Sequence, residues 1–253
     1  MNSTQRFSSR VDNYVKYRPS YPTVIIPFLA KQCGLTPDDV IADVGSGTGL
    51  LTRLFLDHGN CVFGVEPNRE MREAGEHFLA GYPRFINVNG TAEATTLDAA
   101  SVNAVVAGQA FHWFNIDQAR REFQRILKPA GWAALVWNAR RVDRSAFQRE
   151  YDQLLRAHSE EYAQVNHMDT VTDAAIAEFF GGQSSRARFD HAQQFDFDGL
   201  LGRLMSSSYA PQAGHPSHAP MVTALRELFD KHQQAGVVTF EYDTEVYFGR
   251  LIA

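Results

Sequence analysis

The run Asp43-Val44-Gly45-Ser46-Gly47-Thr48-Gly49 sets three glycines at alternate positions directly after an acid. Without Cβ atoms, such a turn lets a ligand approach the main chain and adopts dihedrals closed to other residues. A nucleotide-like ligand is its natural occupant. The dinucleotide fingerprint needs a glycine where Leu50 stands, and a phosphate-binding Walker loop needs a Lys after its last glycine; neither is present. Asp43 would repel a pyrophosphate and attract an ammonium or sulfonium group. Glu66 closes the next apolar run, where its carboxylate can accept hydrogen bonds from ribose hydroxyls. One acid near a cationic group and another on a ribose match S-adenosylmethionine.

Other chemistries find less support. Cys33 and Cys61 stand far apart, and His215 and His218 share a proline-rich loop without nearby Cys or acids, so no metal site is expected. No G-x-S-x-G run occurs, which leaves acyl-enzyme chemistry without an anchor. A nicotinamide oxidoreductase is a distant alternative because of Leu50 and Asp43.

The elements that must position these residues follow from the apolar pattern. Val40 to Val44, Cys61 to Val65, Phe85 to Val88, Val102 to Ala107 and Trp132 to Trp137 read as buried strands. Helical patterns separate most of them, opened by residues such as Pro67-Asn68 and Asn115 and closed by Gly59, Gly81 or Lys128-Pro129-Ala130-Gly131. This predicts an α/β fold: a Rossmann-like, doubly wound, mostly parallel sheet of about seven strands, with helices on both faces and a C-terminal helical insertion. One domain spans 1–253, with an N-terminal lid or helix at 1–35, a cofactor-binding core at 36–139, a mostly helical insertion and substrate region at 140–236, and a closing strand at 237–253. Helices are expected at Ser145 to Ala157, Asp173 to Phe180, Leu200 to Met205 and Met221 to Gln233.

Composition narrows the partners. The chain has 253 residues, 44% hydrophobic and 21% charged, which supplies ample core. Its 24 Lys and Arg against 29 Asp and Glu give a formal charge of -5, which disfavours nucleic acid. No long apolar run predicts a membrane span and no secretory signal is expected, so the expectation is a cytoplasmic protein, monomer or homodimer.

The sequence resembles the class I S-adenosylmethionine-dependent methyltransferases. Within them it looks like the methyltransferase type 11 and trans-aconitate methyltransferase-like branch. The likeness rests on Phe7-Ser8-Ser9-Arg10, Tyr14 to Pro22, Asp43 to Gly49, Val65-Glu66-Pro67-Asn68, Gly90-Thr91-Ala92-Glu93 and Gln109 to Phe114. It implies a cofactor, S-adenosyl-L-methionine, with S-adenosyl-L-homocysteine as product. The resemblance sets Gly45, Ser46, Gly47 and Gly49 on the methionine part, Glu66 and Pro67 by the ribose, Met71 on the adenine, and Thr91, Ala92 and Glu93 along the adenine edge. Gln109 and Ala110 would reach the sulfonium and the acceptor, and Trp113 and Phe114 either form an apolar acceptor wall or cover the sheet edge. His112 is the candidate general base. Tyr14 and Arg18 would belong to a lid and suit a carboxylate, of the cofactor or of an acidic substrate.

The implied activity is direct in-line methyl transfer to a small-molecule acceptor, with a carboxylic acid as one acceptor class. The alternative is a non-catalytic S-adenosylmethionine-binding regulator on the same fold. Substrate specificity is expected in the segment after Trp137 and in Ser206-Ser207-Ser208-Tyr209, and Arg140, Arg141 and Arg144 form a basic cluster that either binds an acidic acceptor or faces solvent.

Overall fold

The computed structural model describes residues 16–159, 161–162 and 171–251. Its strands form one seven-stranded sheet in the order β3-β2-β1-β4-β5-β7-β6. The first five run parallel: β1 (Val40–Val44), β2 (Cys61–Val65), β3 (Phe85–Val88), β4 (Val102–Gly108) and β5 (Leu127–Arg140). β7 (Val238–Gly249) inserts antiparallel between β5 and β6 (Ser185–Phe195). Chain order therefore reverses between β1 and β4, the kind of crevice where open α/β sheets hold ligands.

Both faces are covered, which is why the central strands read as unbroken apolar runs. Ala42, Val44, Val105, Ala107 and Leu135 join one core with Phe123 of α4 (Ile116–Ile126) and Phe179 of α6 (Asp173–Phe180). Ile41, Ala104, Val106, Ala134 and Val136 join the opposite core with Leu29 of α1 (Ile25–Cys33) and Phe55 of α2 (Leu50–His58). A third core gathers α5 (Ala146–His158), α7 (Phe197–Met205) and α8 (His218–His232) around Phe240 and Tyr242. Tyr242 pairs in register with Arg140, so these helices stand at the carboxyl edge of the parallel strands.

Local signals set the helix ends. Asn68 accepts from the Met71 amide to start α3 (Arg69–Phe78), Asn115 caps α4 and Ser145 caps α5. Gly34, Gly59 and Gly181 end α1, α2 and α6 in the left-handed conformation.

Two features differ from the sequence expectation. Lys128-Pro129-Ala130-Gly131 lies inside β5 as a bulge, where the register jumps from Val102 opposite Leu127 to Ala104 opposite Trp132. Ala130 takes a positive φ of 68° there, and α4 ends earlier, at Ile126. The stretch 140–236 holds α5 to α8, and also the eleven-residue β6. As an edge strand, β6 presents Arg186, Arg188 and Asp190 outward, and its inner face mixes Ala187 and Phe189 with the polar His191 and Gln193.

The loop after β3 is tied to α4 by a carboxylate. Glu122 accepts from the Thr95 amide at 2.8 Å, from Thr95 Oγ1 at 2.5 Å and from Arg125 at 2.7 Å. The Arg125 hydrogen bonds, with those from Thr95, hold its pKa down at about 2 despite burial. A depressed carboxylate stabilises the fold fully above its unfolded value of 4.5 and loses that contribution as pH falls towards 2. Urea denaturation at pH 6 and pH 3 tests this: Glu122→Gln is expected to lower stability by roughly 1–3 kcal/mol at the higher pH, and to flatten the acid limb that the wild type shows.

Candidate active site

At the carboxyl ends of β1, β2 and β4 lies a cavity of about 270 Å³. Twelve of the residues singled out from sequence line it: Asp43, Gly45, Ser46, Gly47, Glu66, Pro67, Met71, Thr91, Ala92, Glu93, Gln109 and Ala110. The glycine turn is its floor. Gly45, Gly47 and Gly49 all have positive φ, at 70°, 56° and 87°. A Cβ on Gly47 would meet nothing within 4 Å, and Gly47 lines the cavity. Gly45 has a different reason, since its Cβ would come within 2.5 Å of Ala110 Cβ.

Glu66 shapes the turn directly. Its Oε2 accepts from the Gly47 amide at 2.9 Å and its Oε1 from the Asn68 amide at 2.8 Å. Each oxygen retains a lone pair, enough to accept one hydroxyl apiece from a ribose. Asp43 is fully buried and accepts from Thr52 Oγ1 at 2.6 Å through one oxygen only. Its Oδ1 and the nearby Thr48 Oγ1 are buried without a hydrogen-bond partner among the described residues. Burial raises the Asp43 pKa to about 7, helped by the neighbouring Glu66 charge, and burial also raises Glu66. Two desolvated acids at one cavity, one with an orphaned oxygen, fit a ligand that brings a cationic group and hydroxyls.

The opposite wall comes from the end of β4. Gln109 adopts a left-handed φ of 55°, uncommon outside glycine and held by Gln109 N–H donating to Val136 O at 2.9 Å and Nε2 to Asn138 O at 3.1 Å. Gly108 is required because a Cβ there would lie 2.5 Å from the Tyr21 hydroxyl. Trp113, with 41% of its surface exposed, and Phe114 complete the wall.

Other expected site residues lie elsewhere. Gly49 caps α2 behind the turn, where a Cβ would meet Leu79 at 2.5 Å, so its role is packing of the turn and not the cavity surface. His112, the candidate base, sits half-buried on the 3-10 turn Phe111–Trp113 with its ring 4.7 Å from that of Trp113, and is not among the residues lining the cavity. Arg18 Nη2 donates to Ser206 O at 3.0 Å, away from the cavity lining. Tyr14 falls outside the described residues. Arg140 and Arg141 diverge: Arg141 binds Asp243 at 2.6 Å and also pairs with Asp190, whereas Arg140 reaches Tyr162.

The cavity is also lined by Tyr21 of the expected lid segment, by Thr48 and Asn68 within the quoted motifs, and by Leu50, Leu51 and Gly108, which the sequence reading did not place there. Gly108 carried the one available signal, a glycine at the carboxyl end of an apolar strand.

Residues 42–135 match the family model described as a methyltransferase domain. Over this segment the chain is similar to methyltransferase domains. An uncharacterised methyltransferase of Mycobacterium tuberculosis is 36% identical over 149 residues, 59% of this chain and 58% of that relative. One from Schizosaccharomyces pombe is 33% identical over 138 residues, 53% of each chain. The matched segments thus span just over half the length of these relatives. A solved structure from Anaeromyxobacter dehalogenans, provisionally named a type II methyltransferase, superposes with a TM-score of 0.67 at 23% identity, covering 93% of this chain and 99% of that one. The chain thus shares the fold of that solved methyltransferase along nearly its whole length.

An acid whose folded-state pKa is raised destabilises the free protein once it must ionise. Relative to wild type, Asp43→Asn is therefore expected to be more stable above pH 7, with the gap closing as pH falls to about 4. Thermal denaturation of both proteins in the absence of ligand across that range checks it.

Proposed function

We propose that the chain is an S-adenosylmethionine-dependent methyltransferase that acts on a small-molecule acceptor carrying a carboxylic acid. The observation that carries the reading is the pair of buried acids, Asp43 and Glu66, set around the glycine turn in one cavity. In this reading Asp43 and Thr48 offer their unengaged oxygens to the cationic methionine end of the cofactor, and Glu66 accepts the ribose hydroxyls. Met71 and the Thr91-Ala92-Glu93 segment border the adenine. When bound, S-adenosylmethionine supplies an electrophilic methyl group on a sulfonium.

The protein's contribution is placement and dryness. Gln109, locked by its two hydrogen bonds, and the Tyr21, Trp113 and Phe114 rings enclose the side of the cavity where an acceptor would meet the methyl group. Holding two reactants in line lowers a bimolecular barrier by several kcal/mol without a dedicated base. A carboxylate oxygen already carries the electron pair that forms the new bond, and the breaking bond leaves its pair on sulfur, so no proton need be removed. His112 is then dispensable.

Calorimetric titration with S-adenosylmethionine and S-adenosylhomocysteine, with NAD as control, tests the reading. Both sulfur ligands should bind and NAD should not. Glu66→Ala and Gly47→Val should each weaken S-adenosylhomocysteine roughly tenfold or more, while His112→Ala should leave both that affinity and turnover within a few-fold. Unchanged binding in the Glu66 and Gly47 variants would remove the site.

A further inference from the structure

Strand β5 runs through the buried apolar residues Trp132 to Trp137 and then places an asparagine, Asn138, that is only 7% exposed. An amide taken out of water costs free energy unless its polar atoms find partners. Three polar atoms of Asn138 are engaged, each by a different segment. Its Oδ1 accepts from Thr244 Oγ1 at 2.6 Å, its Nδ2 donates to Ser20 O at 3.0 Å, and its main-chain O accepts from Gln109 Nε2 at 3.1 Å.

These bonds fix one orientation of the amide. Ser20 O can only accept, so the amide nitrogen must face it, and the amide oxygen is left to take the Thr244 proton. Thr244 is fully buried on β7, opposite Asn138 in the sheet register. The segment that Asn138 holds is held by β6 as well: the His191 ring gives Ser20 O a second hydrogen bond, and Gln193 Nε2 donates to Arg18 O at 3.4 Å. Residues 18–20 thus lie along the ends of β5, β7 and β6 by their main-chain carbonyls.

Tyr21 follows directly. Its hydroxyl stands so near β4 that a Cβ on Gly108 would meet it at 2.5 Å, and it lines the cavity together with Gln109. Neither Asn138 nor Thr244 is among the residues lining that cavity. One side chain outside the cavity is therefore bonded to both polar residues of its acceptor side, to Gln109 directly and to Tyr21 through the neighbouring peptide.

We propose that Asn138 is a positioning residue for methyl transfer, with Thr244 orienting its amide. It fixes Tyr21 through Ser20 and Gln109 through its own carbonyl, and so sets how far the acceptor wall stands from the cofactor. This rests on the methyltransferase reading above. Displacement of a reacting group by about 1 Å is enough to cost an in-line transfer much of its rate, which is the reason to spend a buried amide on the placement of a wall.

The test is calorimetric titration of the full chain with S-adenosylhomocysteine, at a temperature well below the melting point of every variant, where a residue that serves only global stability leaves affinity unchanged. Asn138→Leu removes the bond to Ser20 and keeps the main-chain bond to Gln109; it should weaken binding about fivefold. Because that loss acts through Tyr21, the double variant of Asn138→Leu with Tyr21→Leu should bind no more than about twofold more weakly than the worse single variant. Thr244→Val should weaken binding about fivefold, and Thr244→Ser, which keeps the hydroxyl, no more than about twofold. A packing role for Thr244 predicts the reverse order, since Val fills the space and Ser leaves a void.

Wild-type affinity in Asn138→Leu, additive losses in the double variant, or weaker binding by Thr244→Ser than by Thr244→Val would each overturn the assignment. If Asn138→Leu does not fold, the Thr244 pair decides it by the same order of affinities. Hydrogen exchange of the ligand-free chain reads the placement without any cofactor: Thr244→Val and Asn138→Leu should speed exchange severalfold in a peptide covering 17–26 and leave β1 unchanged. If the wild type binds no S-adenosylhomocysteine, the cofactor reading falls, and the exchange result stands apart from it: faster exchange at 17–26 upholds Asn138 as the residue that places this segment, and unchanged exchange rejects it.

Discussion

The bond pair made by Glu66 is the constraint on which the site depends. One carboxylate, desolvated at the end of β2, accepts the Gly47 amide through one oxygen and the Asn68 amide through the other. It thereby fixes the glycine turn that follows β1 relative to the residue that caps α3. Backbone N–H groups in a turn must find acceptors somewhere, and here the acceptor is a side chain that also faces the ligand space. Turn shape, helix start and ligand chemistry are set by the same two oxygens.

The cavity and the arginine cluster divide the carboxyl edge of the sheet electrostatically. Asp43 and Glu66 make one side acidic, and Arg18, Arg140 and Arg203 make the other basic. The segment of Arg18 to Tyr21 and the end of β5 run between them, joined by Asn138, whose Oδ1 also accepts from Thr244 of β7 at 2.6 Å. Of the three arginines only Arg203 is buried, and Arg18 and Arg140 keep part of their surface in solvent.

The Glu66 and Asp43 carboxylates also show why burial alone is not a fault in a fold. Both are destabilising in isolation, and both are retained at the single place where a ligand can use them. By contrast Glu122, equally deep in the chain, is matched by Thr95 and Arg125 and holds a loop in place. The difference lies in whether the protein supplies the partner or leaves a lone pair for something else.

Sequence by itself determined the parallel half of the sheet, the glycine turn and most of the acidic cavity. These are local properties: apolar runs, caps such as Asn68 and Asn115, and glycines whose positive φ excludes other residues act over a few positions. It also singled out Arg18, Arg140 and the Ser206 to Tyr209 run, without relating them. Only the tertiary structure brought those together, because Arg18 and Ser206 lie far apart in the chain and meet through α7 packing beside β5 and β7. It likewise decided that His112 and Gly49 stand off the cavity wall and that β6 exists. Its packed face alternates Ala187, Phe189 and Phe195 with the polar His191 and Gln193, which dilutes the apolar period, and its place is fixed by eleven registered pairs with β7.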